Sequence, residues 1–166
     1  FTTSASNATI TLNQAGSTYG GAITLTTAGS SGDVTIDADA AFDIAASTVV
    51  GDLALTSGGA ITDSGILTIG GTLAATTDAA NSAITLDTLA VDSTIALNPH
   101  GSGNATVVND AGLAFAASTV GGNLAATATA GNITDSGALT ITGTSVFTTS
   151  ATDGTITLDV TSHAFT

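Results

Sequence analysis

The chain has 166 residues, with no Lys, no Arg and no Cys, and its 13 acidic residues are all Asp, which gives a formal net charge of −13. The absence of basic side chains excludes a phosphate-neutralising surface, so we expect no nucleic acid among the partners. The absence of Cys excludes disulfides and thiolate metal sites. No apolar run approaches the length that a membrane-spanning helix needs, so we expect no membrane insertion.

The opening of the chain alternates apolar and polar residues, as a half-buried β-strand does. Residues 7–13 read Asn-Ala-Thr-Ile-Thr-Leu-Asn, which directs Ile10 and Leu12 to one face and the threonines to the other. The alternation recurs at residues 22–26 and 33–37, and glycine-rich turn sequences lie between these runs. No convincing helical pattern occurs, so the sequence predicts an all-β protein.

Residues 51–76 contain three short apolar runs that are separated by turn sequences. The runs end at Ser57-Gly58-Gly59, at Asp63-Ser64-Gly65 and at Gly70-Gly71, and the opening pattern then returns after 20 residues. Runs this short, interrupted by glycine this often, are incompatible with helices. Three strands and three corners that return to the start after about 20 residues describe one coil of a parallel β-solenoid.

This stretch recurs later in the chain, at residues 122–148. Ile-Thr-Asp-Ser-Gly occurs at residues 61–65 and again at 133–137, whereas the sequence before it recurs at an offset that is one residue shorter. One residue is therefore inserted near a corner, without loss of the pattern that follows. Solenoid loops tolerate such insertions.

A longer repeat is also present. Phe-Thr-Thr-Ser-Ala at residues 1–5 returns at residues 147–151, an offset of 146 residues, and a weaker copy lies midway. The unit is therefore about 73 residues long, and two units form a pair. The predicted organisation is a single solenoid segment of a longer array, with units at residues 1–74 and 75–146 and the start of the next unit at residues 147–166.

The solenoid geometry predicts which side chains point inward. Inward side chains alternate with outward ones along a strand, and equivalent positions stack about 4.8 Å apart from coil to coil. We expect about 7–8 coils of roughly 20–24 residues, with glycine at the corners to supply the positive φ of a sharp bend. The predicted core residues are Ile10, Leu12, Ile61, Leu67, Ile69, Leu86, Ile133, Leu139, Ile141 and Leu158. The predicted turn glycines are Gly58, Gly59, Gly65, Gly71, Gly131, Gly137 and Gly143.

The spacing of the aspartates predicts how like charges avoid one another. Asp63 and Asp135 occupy equivalent positions in the two copies of the repeat. Their separation along the chain corresponds to three or more coils, which is beyond a Debye length of about 8 Å at physiological salt. We expect Thr and Ser at the equivalent outward positions between them.

The repeated pattern Gly-Asx-Leu-x-x-Thr, followed by Gly-x-Ile-Thr-Asp-Ser-Gly-x-Leu-Thr-Ile-x-Gly-Thr, resembles the repeats of filamentous-haemagglutinin-like bacterial surface proteins. An Ala-Ser-Thr-Val-x-Gly-Asx-Leu sequence, within residues 45–55 and 110–124, resembles the repeats of giant β-strand-repeat outer-surface proteins. The resemblance implies a right-handed parallel β-helix, secretion to the cell surface, and adhesion or filament building. It is carried by corner glycines and core aliphatic residues, so it is specific for architecture rather than for a ligand.

Few side chains are candidates for chemistry. Asp37 and Asp39 alternate along one strand and could offer oxygen ligands to Ca²⁺, although solvated surface carboxylates are the simpler interpretation. His100 and His163 have no His or Cys companion at ligand spacing. Because no acid–base pair, nucleophile elbow or ligand cluster occurs, we expect no catalysis, no cofactor and no obligatory metal.

Three further sequence features have simple structural interpretations. Ser64 and Ser136 lie in Asp-Ser-Gly turns rather than in a nucleophile elbow. Asn7, Asn104 and Asn132 begin Asn-x-Thr sequons, which a threonine-rich chain also contains by chance. Thr-x-Thr pairs could present an ice-binding face, but the high β-propensity of threonine explains them as well.

Two functions remain after enzymes are set aside. The first is a structural module of an extracellular, adhesin-like surface protein or filament, whose partners are neighbouring repeats in end-to-end or lateral association. The second is an adhesin segment that binds a glycan or a cell-surface protein directly. The sequence favours the first, because binding patches are rich in Tyr, Trp and Arg, and the chain has one Tyr, no Trp and no Arg.

Overall fold

The computed structural model describes all 166 residues, which form 20 β-strands and no helix. No helix is therefore available to cross a membrane. The strands are β1 Thr2–Ser6, β2 Ile10–Leu12, β3 Thr26–Ala28, β4 Val34–Ala38, β5 Phe42–Ile44, β6 Ser47–Val49, β7 Leu53–Ser57, β8 Ile61–Asp63, β9 Leu67–Ile69, β10 Leu73–Thr77, β11 Ile84–Val91, β12 Thr94–Asn98, β13 Ala105–Asn109, β14 Leu113–Phe115, β15 Ser118–Val120, β16 Leu124–Ala128, β17 Ile133–Asp135, β18 Leu139–Ile141, β19 Ser145–Thr149 and β20 Ala164–Phe165.

Every strand pair is parallel and joins strands one coil apart. The step from Val34 to Leu53 is among the shortest, and the step from Thr2 to Thr26 is among the longest. The strands stack into a ten-stranded, a seven-stranded and a three-stranded sheet, which are the sides of a solenoid of about eight turns. The predicted all-β parallel solenoid is confirmed.

Alternating side chains place the core inside the coils. In β4, Val34, Ile36 and Ala38 are buried, while Thr35 and Asp37 are exposed. The buried aliphatic and aromatic residues form a single cluster of 33 side chains. A buried Leu or Ile contributes roughly 1.5–3 kcal/mol, so stability is spread over many similar contacts along the solenoid.

The structure buries eight of the ten predicted core residues. Leu12 and Leu158 are the other two, and they are only partly buried against the same cluster. Each lies in a terminal coil, where a neighbouring coil is present on one side only. The buried predicted residues are Ile10, Ile61, Leu67, Ile69, Leu86, Ile133, Leu139 and Ile141.

The corner glycines act differently from the prediction. Among the seven predicted turn glycines only Gly131 has a positive φ, of 75°. A Cβ on Gly58 would lie 2.3 Å from the carbonyl oxygen of Asp39, and one on Gly137 would lie 2.3 Å from the backbone nitrogen of Ala117. The expectation of positive φ was therefore wrong for Gly58, Gly59, Gly65, Gly71, Gly137 and Gly143, at which glycine is required because the corners of successive coils approach closely.

Copies of the sequence repeat lie on different sides of the solenoid. By sequence, β7, β8 and β9 recur as β16, β17 and β18, yet β7 belongs to the seven-stranded sheet and β16 to the ten-stranded sheet. Three coil steps lead from Leu53 through Leu73 and Ile95 to Phe115, which is nine residues short of the repeat-equivalent Leu124. Each copy of the sequence repeat therefore spans three complete coils and one side of the next coil.

From the second coil onward, the long side of the coil changes sheet near the middle of the chain. The five-residue strands β4, β7, β10 and β12 belong to the seven-stranded sheet, and the later ones β13, β16 and β19 belong to the ten-stranded sheet. Between them, the eight-residue β11 pairs with the two short strands β8 and β9 of the preceding coil and with β13 of the next. Two short sides thus fuse into one long side at β11.

Candidate functional site

The two aspartates considered as calcium ligands do not form a metal site with any third residue. Asp37 is exposed and lies in register with Thr56, whereas Asp39 accepts a hydrogen bond from the backbone N–H of Gly16 at 2.7 Å. No group of three His, Cys, Asp or Glu residues is close enough to hold a metal ion. Asp39 instead links its corner to the preceding coil through this hydrogen bond.

His100 lies beside an open, polar groove. Its Nδ1 donates to the carbonyl oxygen of Asp78 at 2.7 Å, and its backbone N–H donates to Thr77 Oγ1 at 3.0 Å. The groove has a volume of about 550 Å³, and its lining includes Pro99 and the His100 ring. Hydroxyl and amide groups from successive coils form its floor: Thr76, Asn98, Thr119 and Thr142. Such a groove can form hydrogen bonds with a polar ligand.

His163 contacts a buried carboxylate. Its Nδ1 accepts the backbone N–H of Leu139 at 2.9 Å, so the neutral ring carries its proton on Nε2. Nε2 lies 2.8 Å from Asp135 Oδ2, close but misaligned for an ideal hydrogen bond, and the Asp135 side chain is fully buried. This pair was not predicted, because the two residues are distant in the sequence and no motif links them.

Asp and Asn side chains connect neighbouring coils at the corner that precedes the five-residue strands of each repeat copy. Asp33 Oδ1 accepts the backbone N–H of Asp52 at 2.9 Å, and Asp52 Oδ1 accepts that of Thr72 at 2.7 Å. In the second repeat, Asn104 and Asn123 make the equivalent contacts at 2.8 and 2.9 Å. Because only one side-chain oxygen is used, carboxylate and amide are interchangeable here. The Gly-Asx-Leu element of the repeat is the sequence signal for this role.

Asp63 and Asp135 use both carboxylate oxygens. Asp63 accepts the backbone N–H groups of Asp87 and Thr88, each at 2.9 Å, and the Thr88 hydroxyl at 2.8 Å. Asp135 accepts those of Asp159 and Val160 at 3.0 and 3.3 Å. The expectation of Thr or Ser at the equivalent positions was wrong on the preceding coil, where Asp63 lies in register with Ile44. On the following coil, Asp63 instead binds the backbone N–H groups of Asp87 and Thr88.

The comparisons with known proteins place the chain in a repeat family. The family model "Repeats of unknown function (DUF5649)" matches residues 31–98 and 102–166. The chain belongs to the DUF5649 family. The two matches begin at residues 31 and 102, so each DUF5649 repeat corresponds to one copy of the sequence repeat. No curated protein and no solved structure matches the chain significantly.

The aspartate that ends Ile-Thr-Asp in the DUF5649 repeat is the first target for mutation. We expect Asp63→Ala to lower the free energy of unfolding by about 1 kcal/mol, because backbone donors of the next coil lose their acceptor at a partly exposed site. Urea unfolding followed by circular dichroism measures the change. Asp37→Ala is the matched control, since no hydrogen bond involves that carboxylate. Equal stability of the two variants would contradict this role.

The serine and asparagine candidates lie at corners of the DUF5649 repeats. Ser64 Oγ donates to Asp43 Oδ2, and Ser136 Oγ donates to the carbonyl oxygen of Phe115, so neither hydroxyl faces a histidine base. The three sequon asparagines are exposed, and their Oδ1 atoms accept backbone N–H groups of the next coil. These asparagines are Asn7, Asn104 and Asn132. Each of these asparagines therefore links the backbones of two coils at a corner.

The outward threonines of the DUF5649 repeats form rows that do not continue along the whole solenoid. Thr11 pairs with Thr35, but the next position along that row is Ala54. On another side, Thr2, Thr26, Thr48 and Thr68 follow one another on four coils, and Ala90 comes next. An ice-binding face needs threonine on every coil of one side, and these two rows lack it.

Proposed function

We propose that the chain is a structural module of an extracellular bacterial surface protein of the filamentous-haemagglutinin-like kind. Its role in that protein is to form part of a solenoid rod. The observation that carries this proposal is the return of the 146-residue pair to the same sides of the solenoid. Six coil steps lead from Ile10 through Phe115 to Asp135. The bridge from Ile133 to Ile156 continues this register to Leu158 in a seventh step, two residues beyond the repeat-equivalent Ile156. A shift of two residues preserves which side chains point inward.

Repetition of the 146-residue pair lengthens the rod while each side keeps its orientation about the rod axis. After a single copy of the sequence repeat, the next copy begins one side further around the solenoid. After a pair of copies, equivalent strands again belong to the same sheet. Eight coils at the interstrand spacing give a rod roughly 35–40 Å long. Further pairs would lengthen the rod in constant orientation, with neighbouring repeats as the partners.

The surface chemistry also supports a structural role without catalysis. The polar groups at the corners are used in coil-to-coil hydrogen bonds, as for Asp63 and Asp135. The surface lacks Trp and Arg, which dominate binding hot spots. A coat of Thr, Ser, Asn and Asp keeps a long rod soluble, and a net charge of −13 opposes unspecific aggregation.

Electron microscopy of the native material, combined with a glycan-array screen of the 166-residue chain, tests the proposal. We expect thin, uniform rods that are longer than one chain, and an array without specific binding. Compact particles with tight binding of one glycan would contradict the structural role.

Direct adhesion is the second candidate, and the groove beside His100 favours it. Its hydroxyl and amide lining suits a neutral saccharide better than a charged or apolar ligand. If the glycan screen finds a ligand, we expect His100→Ala and Asn98→Ala to weaken binding. Thr11→Ala, on the outer face of another coil, is the control. Unchanged binding in both groove variants would place the ligand elsewhere.

A further inference from the structure

The last coil of the structure repeats the first. Residues 147–166 are the repeat-equivalents of residues 1–20. β19 and β1 both belong to the ten-stranded sheet, and Ile156 bridges to β17 of the seven-stranded sheet, to which β2 also belongs. The two coils therefore occupy the same place in successive 146-residue units, and the surroundings of one indicate what the other would contact.

Two short aromatic ladders overlap under this equivalence. Phe1, Tyr19 and Phe42 stack edge to face, with ring centroids 6.4 Å apart at both steps. Phe147 lies 6.0 Å from Phe115 and 6.3 Å from Phe165 in the same arrangement. Phe147 is equivalent to Phe1, and Phe165 to Tyr19. The two ladders are thus overlapping parts of one series of four rings, in which the ring after Phe165 is Phe42 of the next unit.

Burial differs between the equivalent residues of the first and last coils. Ile10 pairs with Val34 of the next coil and is 7% exposed. Ile156 is 46% exposed and bridges only to Ile133 of the preceding coil. Phe165, which pairs with the buried Ile141, is also about half exposed at this end, at 47%. The end thus presents apolar side chains beside an unpaired strand edge, which is a template for strand addition.

We propose that this end docks the coil formed by residues 22–44 of a following 146-residue unit. In this arrangement Val34 of that unit lies over Ile156, Thr26 pairs with Thr148, and Phe42 stacks on Phe165. The occupant is thus another copy of this chain's own second coil. The inference rests on the proposed structural role, and it adds which residues form the junction between units.

A tandem protein tests the junction. In it, residues 1–166 are followed directly by residues 21–166 of a second copy, so that the coil continues in phase. We expect a single cooperative thermal transition, monitored by circular dichroism, with a midpoint above that of the 166-residue chain. A second tandem, in which residues 31–166 follow residues 1–166, shifts the phase by ten residues and serves as the control.

The Ile156→Asp substitution distinguishes a folded junction between the two units from two rods that unfold independently. In the 166-residue chain we expect a shift of only a few degrees, because the side chain is half exposed. In the in-phase tandem we expect the first Ile156→Asp to lower the midpoint as strongly as Ile10→Asp does in the single chain. Thr157→Asp, which changes the neighbouring outward position, is expected to leave both proteins unaffected.

Three results would overturn the junction. The in-phase tandem could melt like the single chain, it could fail to fold although the single chain folds, or Ile156→Asp could have the same small effect in both proteins. Each of these would still leave the structural role open to the microscopy and glycan tests, because rods can also associate laterally. Compact native particles with a specific glycan would instead remove the structural role, even if the tandem folded as one body.

Discussion

Ile61→Asp is expected to abolish cooperative folding of the chain. Ile61 is fully buried and pairs with Phe42 on the preceding coil and Ile84 on the following one. The chain has no Lys or Arg to neutralise a carboxylate at this position. A buried, unpaired charge costs several kcal/mol, which is comparable with the total stability of about 5–15 kcal/mol that is usual for a domain.

The measurement is thermal unfolding followed by circular dichroism. Thr68→Asp is the matched control, because Thr68 is exposed on the neighbouring strand β9 and the substitution introduces the same charge outside. We expect that variant to unfold within a few degrees of the parent chain. A cooperative transition near the parent midpoint for Ile61→Asp would mean that the interior of the solenoid is not packed as described.

The second large effect is expected for Gly58→Ala. A Cβ at this position would lie 2.3 Å from the carbonyl oxygen of Asp39 and 2.5 Å from its carbonyl carbon. Both are backbone atoms of the preceding coil, so relief requires the two coils to separate at the corner. We expect a loss of about 3 kcal/mol, at the upper end of the usual cost of overpacking.

Gly20→Ala is the matched control, since nothing lies within 4 Å of a Cβ at Gly20 and its φ is not in the left-handed region. Denaturant unfolding of the two variants compares the same chemical change with and without the steric clash. If both variants lost the same stability, close approach of the coils would not be the reason for glycine at Gly58.

The sequence by itself determined the class of fold and the length of a coil. Period-two alternation, as in Thr9-Ile10-Thr11-Leu12, specifies inward and outward faces locally, because successive side chains of a strand point in opposite directions. The short runs between turn sequences exclude helices, and the return after about 20 residues predicts stacking of parallel strands. The sequence also showed no motif for an acid–base pair or a ligand cluster.

The candidate site was predicted less well than the fold. The sequence indicated Asp37 and Asp39, whereas the structure gives the larger role to Asp63 and Asp135. The backbone donors to Asp63 belong to Asp87 and Thr88 on the next coil, and such partners depend on the register between coils. The His163 contact with Asp135 depends on the same register between coils, so no local sequence pattern predicts it.

Only the tertiary structure decided on which side of the solenoid each repeat lies. Coil lengths vary, as the short step from Val34 to Leu53 and the long step from Thr2 to Thr26 show, because corners hold different numbers of residues and two short sides fuse at β11. Each copy of the sequence repeat therefore ends one side beyond three coils, although its sequence pattern is retained. The role of the corner glycines was decided in the same way, because the clash at Gly58 involves Asp39, which is distant in sequence and adjacent only after the coils stack.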